Sequence, residues 1–256
     1  MHRDFGLTRL KEPSGNIFDK ESGTHSLNFL WQDRNIYVMD NHLAAGWCWL
    51  NSLNPNEQYN FFHVDQHQDL CGGLATRDIL DKIKEQYPFG IDTYCNFTFE
   101  RGISTPQFPY NKVFSWDNYI KQLQYMFPHW FSDCYFACPE IVEDNPRYTQ
   151  LPLHITYNAS NLEIYTNIQY WVCQCSKRKW IFNLDLDYFF DKEGMLLYTD
   201  EYIKAFAHNL YNALENIAVL TIAMSPECCG GWDKSVNILR LFSEIFGFDE
   251  VLQLFD

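Results

Sequence analysis

The stretch YNFFHVDQHQD (residues 59–69) joins a largely apolar run to a cluster of acidic and imidazole side chains. A run of this length without polar alternation is typical of a strand that is buried on both faces of a parallel sheet. Asp65, His67 and Asp69 follow at every second position, so in extended chain their side chains point to the same side. We therefore expect a buried strand whose carboxyl end carries two carboxylates and an imidazole.

Three further apolar runs share this arrangement, at residues 35–39, 180–184 and 217–224. The polar residues that follow them are His42 after the first, Asp185 and Asp187 after the second, and Glu227 after the third. In a parallel sheet such strand ends lie along one edge, where open α/β sheets bind their ligands. We expect the functional site at the C-terminal ends of the strands.

Helical periodicity appears between and after these strands. Amphipathic patterns predict helices over residues 77–86, 200–216 and 233–246, with Asp200 as the cap of the second and Gly247 ending the third. Alternating strands and helices predict an α/β fold, a three-layer α/β/α sandwich with a mainly parallel sheet.

The middle of the chain has weaker patterns. Residues 102–109 and 138–152 indicate loops, residues 119–127 favour a helix, and residues 134–137 or 154–157 favour a strand. No linker or internal repeat interrupts the sequence, so we expect residues 1–256 to form a single domain.

The charge balance narrows the class of partner. The 33 acidic and 19 basic residues give a net charge of −14, which disfavours nucleic acid and anionic membranes and favours cationic ligands and divalent metals. No apolar run approaches the roughly 18 residues of a membrane span, and residues 1–5 lack the pattern of a secretory signal. We expect a cytoplasmic protein whose nine cysteines stay reduced.

The strand-end side chains form a candidate metal site. Its four carboxylates and two imidazoles come from His42, Asp65, His67, Asp69, Asp185 and Asp187. Carboxylates this close resist burial unless cations hold them, and the set is too anionic for one ion. Oxygen-rich ligands with some imidazole and no thiolate favour two Mn²⁺ ions. His63 is out of phase, so we expect it to pack behind the ligands, and Asp40 is placed to orient His42.

These motifs resemble the ureohydrolase superfamily, which includes arginase, agmatinase and, more distantly, the histone deacetylases. The signature of that family is a strand-end His, then D-x-H-x-D, then D-x-D. His42, residues 65–69 and residues 185–187 match this signature in order. The resemblance implies an arginase-like fold with a binuclear manganese cluster, and Glu227 matches a family Glu that pairs with the substrate guanidinium.

The variant motifs look most like the divergent branch that contains the peptide arginases. In this chain they are D-N-H (40–42), H-x-D-x-H-x-D (63–69), D-L-D-Y-F (185–189) and S-P-E (225–227). The family's His-Gly after D-x-H-x-D is missing, and with it the usual contacts to the α-carboxylate of a free amino acid. That branch converts arginine side chains in ribosomally synthesised precursor peptides to ornithine. The resemblance therefore implies an arginine-containing precursor peptide as the partner.

The expected mechanism is attack of a metal-bridging hydroxide on the guanidinium carbon, with release of urea. Glu227 would hold the guanidinium by a paired contact, and Asp69 would pass a proton to the departing amine. Trp232, which follows a Gly-Gly pair, has two interpretations: stacking on the arginine side chain, or a plain turn before a helix. His154 is a candidate for the proton shuttle.

Three alternatives stay open. An arginase or agmatinase acting on a free guanidino compound would use the same site, and substrate size distinguishes it. A deacetylase-like amide hydrolase is the second, although the chain has no His-His pair for proton transfer. The third is a non-enzymatic module that binds basic peptides beside structural metals, which predicts binding without turnover. The sequence leaves the oligomeric state open.

Overall fold

The computed structural model describes residues 8–72, 75–105, 108–139, 157–174 and 177–256. The strands are β1 (Thr8–Lys11), β2 (Phe29–Asp33), β3 (Ile36–Asp40), β4 (Tyr59–Val64), β5 (Thr98–Thr105), β6 (Phe108–Lys112), β7 (Phe131–Ala137), β8 (Tyr157–Asn158), β9 (Trp180–Asp185) and β10 (Ile217–Ala223). The helices are α1 (Ala44–Ser52), α2 (Arg77–Glu85), α3 (Ile91–Asn96), α4 (Tyr119–Met126), α5 (Asn161–Gln174), α6 (Asp200–Asn212), α7 (Pro226–Cys229), α8 (Trp232–Phe246) and α9 (Asp249–Leu252). In the part of the chain that these ranges cover, no helix is long and apolar enough to cross a membrane.

Eight strands form one sheet in the order β1-β2-β3-β10-β9-β4-β7-β8. β1, β2 and β3 pair antiparallel, and the pairings from β3 through to β8 are parallel. The four strands predicted from apolar runs, β3, β4, β9 and β10, are confirmed and lie next to one another. Because these four run in the same direction, their carboxyl ends meet along one edge of the sheet.

Helices cover both faces of the sheet, which gives a mixed α/β architecture consistent with three layers. Phe182 and Leu220 pack with residues of α5, α6 and α8, and we call this side the α6 face. Ile181 and Val219, their neighbours along the strands, pack with residues of α1 and α4 on the opposite side, the α4 face. This alternation follows from the two-residue period of a strand.

The predicted helices are confirmed, with changes at their ends. Gly247 ends α8 with a left-handed φ of 75°, a conformation that favours glycine. The cap assigned to Asp200 is wrong, because Thr199 precedes α6 in an extended conformation and its hydroxyl accepts a 3.3 Å hydrogen bond from the backbone N–H of Tyr202. Asp200 is the first helical residue, where the positive end of the helix dipole stabilises its carboxylate. The same helix ends at Asn212, four residues before its predicted end.

The predictions for the middle of the chain, where the sequence patterns are weak, are partly confirmed. The loop predicted at 102–109 is wrong for residues 102–105 and 108–109, which belong to the antiparallel pair β5 and β6, and residues 106–107 lie outside the described residues. Pro109 suggested a loop, but the edge of a two-stranded pair tolerates proline. The helix at 119–127 and the strand at 134–137 are confirmed as α4 and part of β7. Residues 1–5, 140–152 and 154–156 lie outside the described residues, so the predictions made there stay predictions.

Candidate metal centre

A cavity of about 240 Å³ opens at the carboxyl edge of the central strands. It is lined by Ser22, Asn41, His42, Asp65, His67, Asp69, Cys71, Trp116, Asp117, Asp185, Asp187, Ser225, Glu227 and Cys228. The six predicted ligands and Glu227 all belong to this set. The fold therefore brings together side chains that the sequence distributes over four strand ends.

His42 faces three carboxylates. Its Nδ1 lies 3.0 Å from Asp69 Oδ2, 3.0 Å from Asp185 Oδ2 and 3.5 Å from Asp65 Oδ2. None of these four side chains is more than 9% exposed. His42, Asp65 and Asp69 each offer one ligand atom within 4.8 Å of the others, a spacing that can hold one metal ion.

His67 approaches the carboxylates from the open side of the cavity. Its Nδ1 lies 3.1 Å from Asp187 Oδ2 and 3.5 Å from Asp65 Oδ1, and its side chain is 46% exposed. Asp65, Asp185 and Asp187 form a second group whose ligand atoms lie within 4.8 Å of one another. Asp65 belongs to both groups, which places it between two candidate cation positions.

A bend, and not an extended strand, brings Asp65, His67 and Asp69 together. β4 ends one residue before the motif, so the expectation that the motif continues the strand is wrong. Asp69 has a left-handed φ of 51°, which is uncommon for a residue other than glycine. Ser225 has a φ of 38°, and its hydroxyl donates a 2.5 Å hydrogen bond to Asp185. Strained residues of this kind cluster at functional sites, and both of these line the cavity.

The electrostatics of the cluster favour added positive charge. Burial raises the pKa of Asp65 well above its usual range, and Asp187 raises it further. Burial and the charge of Asp185 raise the pKa of Asp187 to about 6. Hydrogen bonds to Asp187 and Asp65 raise the pKa of His67 to about 11. Burial lowers the pKa of His42, but neighbouring carboxylates, led by Asp185, outweigh this and hold the pKa well above its usual range.

Two buried carboxylate oxygens, Asp65 Oδ2 and Asp69 Oδ2, accept no well-aligned hydrogen bond from the described residues, although His42 Nδ1 lies 3.5 and 3.0 Å away. Leaving a buried carboxylate oxygen unpaired is costly, and a cation satisfies several such oxygens at once. The donors are imidazole nitrogens and carboxylate oxygens, which suit a divalent metal. The residues present therefore fit a metal centre.

Polar side chains hold His42 from behind. Tyr119 Oη lies 2.9 Å and Asn183 Nδ2 lies 3.0 Å from His42 Nε2. His63 packs behind the ligands, as expected: its Nε2 donates to the carbonyl of His67 at 3.0 Å, and its Nδ1 lies 2.8 Å from Asn183 Nδ2. Burial lowers the pKa of His63 well below its usual range, which keeps this imidazole neutral.

Asp40 does not orient His42, contrary to the expectation from the sequence. One of its carboxylate oxygens accepts a 2.5 Å hydrogen bond from Ser22 Oγ, and the other accepts a 2.6 Å hydrogen bond from Asn28 Nδ2. Burial raises the pKa of Asp40 to about 7. Asp40 therefore anchors the segment of residues 20–28, which borders the cavity through Ser22.

This segment also contacts Glu227. The backbone N–H of Ser22 donates to Glu227 Oε1, and Asn41 Nδ2 donates to the carbonyl of Gly23 at 2.8 Å. Glu227 is the second residue of α7, which follows the left-handed turn at Ser225. The structure thus places Glu227 in the cavity, with one carboxylate oxygen fixed by the facing segment.

Trp232 is absent from the described side chains that line the cavity, so its interpretation as a stacking residue is wrong. It begins α8, is 8% exposed and packs against Phe29 and Phe255. Its Nε1 donates a 2.9 Å hydrogen bond to the carbonyl of Lys20. Trp116 lines the cavity instead. No recognisable motif surrounds Trp116, so the sequence does not predict its place in the cavity.

Cys228 is a second residue that sequence analysis missed. Its thiol forms, with His67 and Asp187, a third group whose ligand atoms lie within 4.8 Å of one another. Burial raises the pKa of Cys228, and the charge of Asp187 adds to this. Its position next to Glu227 was the available signal, but the expectation of a site without thiolate excluded it.

Comparison with known proteins adds no assignment: no protein-family model matches the chain, and no curated protein matches it. His154, the candidate proton shuttle, lies outside the described residues. The geometry of the cavity and its ligand groups is therefore the basis for a function.

Proposed function

We propose that this protein is a metal-dependent guanidino hydrolase that converts arginine side chains in a ribosomally synthesised peptide to ornithine and releases urea. One observation carries the proposal. A carboxylate cluster spaced for metal shares its cavity with Glu227, and the described residues that line this cavity include no Lys or Arg. Such a cavity favours a cationic ligand. The resemblance of the ligand motifs to those of arginases supports the same reaction.

Two divalent cations fit the cluster, and oxygen-rich ligands make Mn²⁺ the expected metal. The residues that would hold them are His42, Asp65 and Asp69 for one position, and Asp65, His67, Asp185 and Asp187 for the other. When bound, such a pair lowers the pKa of water toward neutrality and so supplies hydroxide at working pH. Binding the guanidinium, orienting it and moving protons are left to the side chains of the chain itself.

Glu227 binds the guanidinium. A carboxylate pairs with a guanidinium through two parallel N–H···O bonds, which fixes orientation as well as supplying energy. The hydrogen bond from Ser22 holds one oxygen of this carboxylate, and the turn at Ser225 holds α7 at the end of β10. Both constraints act before the substrate arrives, so little ordering remains to be done on binding.

Asp69 moves the proton. Its Oδ2 lies 3.0 Å from His42 Nδ1, and its side chain lines the cavity. From this position it would accept the proton that the attacking water loses. The water oxygen bonds to the guanidinium carbon, and the bond from that carbon to the side-chain nitrogen breaks. The proton accepted by Asp69 passes to this nitrogen, and urea and an ornithine side chain result.

The cavity favours a guanidinium that has no carboxylate beside it. Six acidic side chains line it, so the α-carboxylate of free arginine would add an anion to a site that repels anions. Peptide-bound arginine lacks that group, and so does agmatine. Trp116 lines the cavity, and its ring would supply a cation–π contact if the guanidinium lay over it. A neutral amide, as in the deacetylase-like alternative, would make no use of Glu227.

Urea release tests the proposal. Protein loaded with Mn²⁺ is assayed in parallel on arginine-containing peptides, agmatine and free arginine, and we expect urea from the peptides only. Urea from agmatine or arginine alone would assign a free guanidino compound as substrate. Urea from none of them, with metal demonstrably bound, would overturn guanidino hydrolysis.

A pair of variants tests the role of Glu227. Glu227→Gln is expected to keep its metal content and to lose urea release by about 100-fold or more, because the guanidinium loses the carboxylate that would pair with it through two charge-assisted hydrogen bonds. Asp117→Asn is the matched control, since Asp117 lines the cavity but belongs to no candidate ligand group. It is expected to keep turnover within about threefold. Full turnover by Glu227→Gln would remove the guanidinium assignment.

A further inference from the structure

One thiol in the cavity has no part in the proposed reaction. Cys228 follows Glu227 in α7 and lines the cavity. Together with His67 and Asp187 it offers three ligand atoms within 4.8 Å of one another. Three donors from three separate segments, at this spacing, are more than an isolated cysteine provides.

A second observation places an unsatisfied carboxylate next to this group. Asp65 is 1% exposed, and its Oδ2, which lies 3.5 Å from His42 Nδ1, has no hydrogen-bond partner among the described residues. Its Oδ1 lies 3.5 Å from His67 Nδ1, and Asp65 shares a candidate ligand group with Asp187. The unpaired oxygen thus marks a cation position on the side of His42, and the group that contains Cys228 adjoins that position through Asp187 and His67.

The donor set at this position differs from the one at His42. The group of His42, Asp65 and Asp69 offers nitrogen and oxygen only, whereas the group of His67, Asp187 and Cys228 also offers sulfur. Thiolate selects softer cations such as Zn²⁺, and carboxylate with imidazole suits Mn²⁺. A pair of positions with unequal donors therefore favours unequal metals.

We propose that Cys228 is a thiolate ligand of the cation held by His67 and Asp187, and that this makes the outer position select Zn²⁺ over Mn²⁺. Binding displaces the thiol proton to solvent, so the cation replaces a proton on sulfur. The inference rests on the metal centre of the proposed function, but not on the hydrolysis of a guanidinium. With Cys228 as a ligand, the expected pair of metals is one Mn²⁺ and one Zn²⁺ in place of two Mn²⁺ ions.

Cobalt(II) spectroscopy tests the sulfur ligand directly, since a thiolate bound to Co²⁺ gives a charge-transfer absorption in the near ultraviolet that carboxylate and imidazole do not give. The full chain is titrated with Co²⁺, and we expect this absorption to be lost in Cys228→Ser. Cys71→Ser is the matched control, because Cys71 lines the same cavity but belongs to no candidate ligand group. It is expected to keep the absorption.

Affinity measurements give a second readout. Cys228→Ser is expected to weaken the binding of Zn²⁺ about tenfold or more, to change that of Mn²⁺ by less than about threefold, and to release one proton fewer per Zn²⁺ bound. Circular dichroism of Cys228→Ser and of Cys228→Ala confirms that each variant is folded.

The outcomes separate this inference from the proposed function. Bound Co²⁺ without the charge-transfer absorption, or with the absorption retained in Cys228→Ser, overturns the role of Cys228 and leaves the hydrolase proposal standing. A chain that binds none of the three metals overturns both. Urea release without a sulfur ligand, or a sulfur ligand without urea release, overturns one and supports the other.

Discussion

Two neighbouring residues of β9 show how differently the two faces of the sheet are built. Phe182 points to the α6 face, where its ring stacks on Phe62 with 5.0 Å between centroids and 7° between planes. Asn183 points to the α4 face, where its amide contacts the polar side chains behind the metal centre. A step of one residue along the strand separates the aromatic core from the groups that support the chemistry. The comparison teaches that a charged site needs polar partners directly behind its ligands, while the surrounding positions on either face can be apolar.

Thr221, Asn183, Tyr119 and His42 form a row of polar side chains on the α4 face, and the hydrogen bonds along this polar row constrain one another. Thr221 Oγ1 donates to Asn183 Oδ1 at 2.6 Å, which leaves the amide hydrogens of Asn183 for His63 Nδ1 and Tyr119 Oη, each 2.8 Å away. Tyr119 is then available to accept from the Nε2–H of His42. The carboxylates hold a proton on His42 Nδ1, and a bound metal ion would take the place of that proton. The row therefore fixes the Nε2–H of a candidate metal ligand and leaves its Nδ1 for the metal.

The largest expected effect is a loss of stability without a loss of metal binding, caused by a substitution on the α6 face. Phe182→Ala removes a fully buried ring and is expected to lower the free energy of unfolding by about 3–5 kcal/mol, because the cavity left behind collapses only in part. Mn²⁺ affinity of the protein that stays folded is expected to change by less than about twofold. Chemical denaturation and calorimetric titration measure the two quantities. A tenfold loss of affinity would show that the two faces are not independent.

On the α4 face, the adjacent residue is expected to give the opposite pattern. Asn183→Leu removes the amide donor that faces His63 and Tyr119, and it also removes the closest acceptor of the Thr221 hydroxyl. We expect a cost of about 1–3 kcal/mol in the free energy of unfolding and a 10–100-fold loss of Mn²⁺ affinity, estimated from buried unpaired groups and from the partners of metal ligands. Unchanged affinity would contradict the supporting role of the row.

Asn60 provides a matched control for that substitution. It is fully buried on β4, and the alternation of the strand points it to the α6 face. Neither polar atom of its side chain has a hydrogen-bond partner among the described residues. Asn60→Leu is therefore expected to keep Mn²⁺ affinity and to leave stability unchanged or raise it by up to about 2 kcal/mol.

Two tyrosine hydroxyls on the α4 face allow a comparison between one that contacts His42 and one that does not. Tyr119→Phe removes the acceptor for His42 Nε2 and is expected to lower Mn²⁺ affinity about tenfold, at a cost of about 1 kcal/mol in stability. Tyr37→Phe is the control, because Tyr37 lies on the same face and bonds to Ser52 and Asn51 instead. It is expected to lose similar stability and no affinity. Equal losses of Mn²⁺ affinity in both variants would show that any lost hydrogen bond on this face weakens metal binding, and would contradict a specific role of Tyr119.

The smallest expected effect concerns a carboxyl group on β2 at the edge of the sheet opposite the candidate metal centre, where Asp33 pairs with Ile36 at the start of β3. Asp33 is buried, its Oδ2 has no partner among the described residues, and burial raises its pKa. A raised pKa in the folded state favours folding at low pH, and this contribution is lost as pH rises from about 4 through the raised value. Relative to Asp33→Asn, the natural chain is expected to lose less than about 1 kcal/mol of stability over that range. If the curves of unfolding free energy against pH for the natural chain and for Asp33→Asn ran parallel, the raised pKa of Asp33 would be refuted.

The sequence predicts those parts of the site that are local patterns. An apolar run and the acids at its end lie within a few residues of each other, so β4 and the motif at Asp65 could both be identified. The ordering of parallel strands along one edge then follows from general rules of α/β folds. Even there the bend at Asp69 was missed, because a left-handed φ in a residue other than glycine leaves no compositional trace.

Contacts between distant segments could not be read in the same way. Tyr119 and Trp116 reach the site from α4 and the residues before it, and helical periodicity does not say which strand a helix crosses. Trp232 shows the converse error, since closeness to Glu227 in sequence suggested closeness in the cavity. The first turn of α8 directs this side chain toward Phe29 and Phe255 instead.

The hydrogen bond between Ser22 and Glu227 also has a consequence for the order of folding. It joins residues 205 positions apart, and the one from Trp232 to Lys20 joins residues 212 apart. At ribosomal rates of about 5–20 residues per second, roughly 10–40 s of synthesis separate the two partners of the first bond. Contacts of such long range also close late, because their loop-closure entropy must be overcome first. A nascent chain that has built β3 and β4 therefore still lacks the wall of the cavity that contains Glu227, and the cavity is complete only when β10 and α7 have been made.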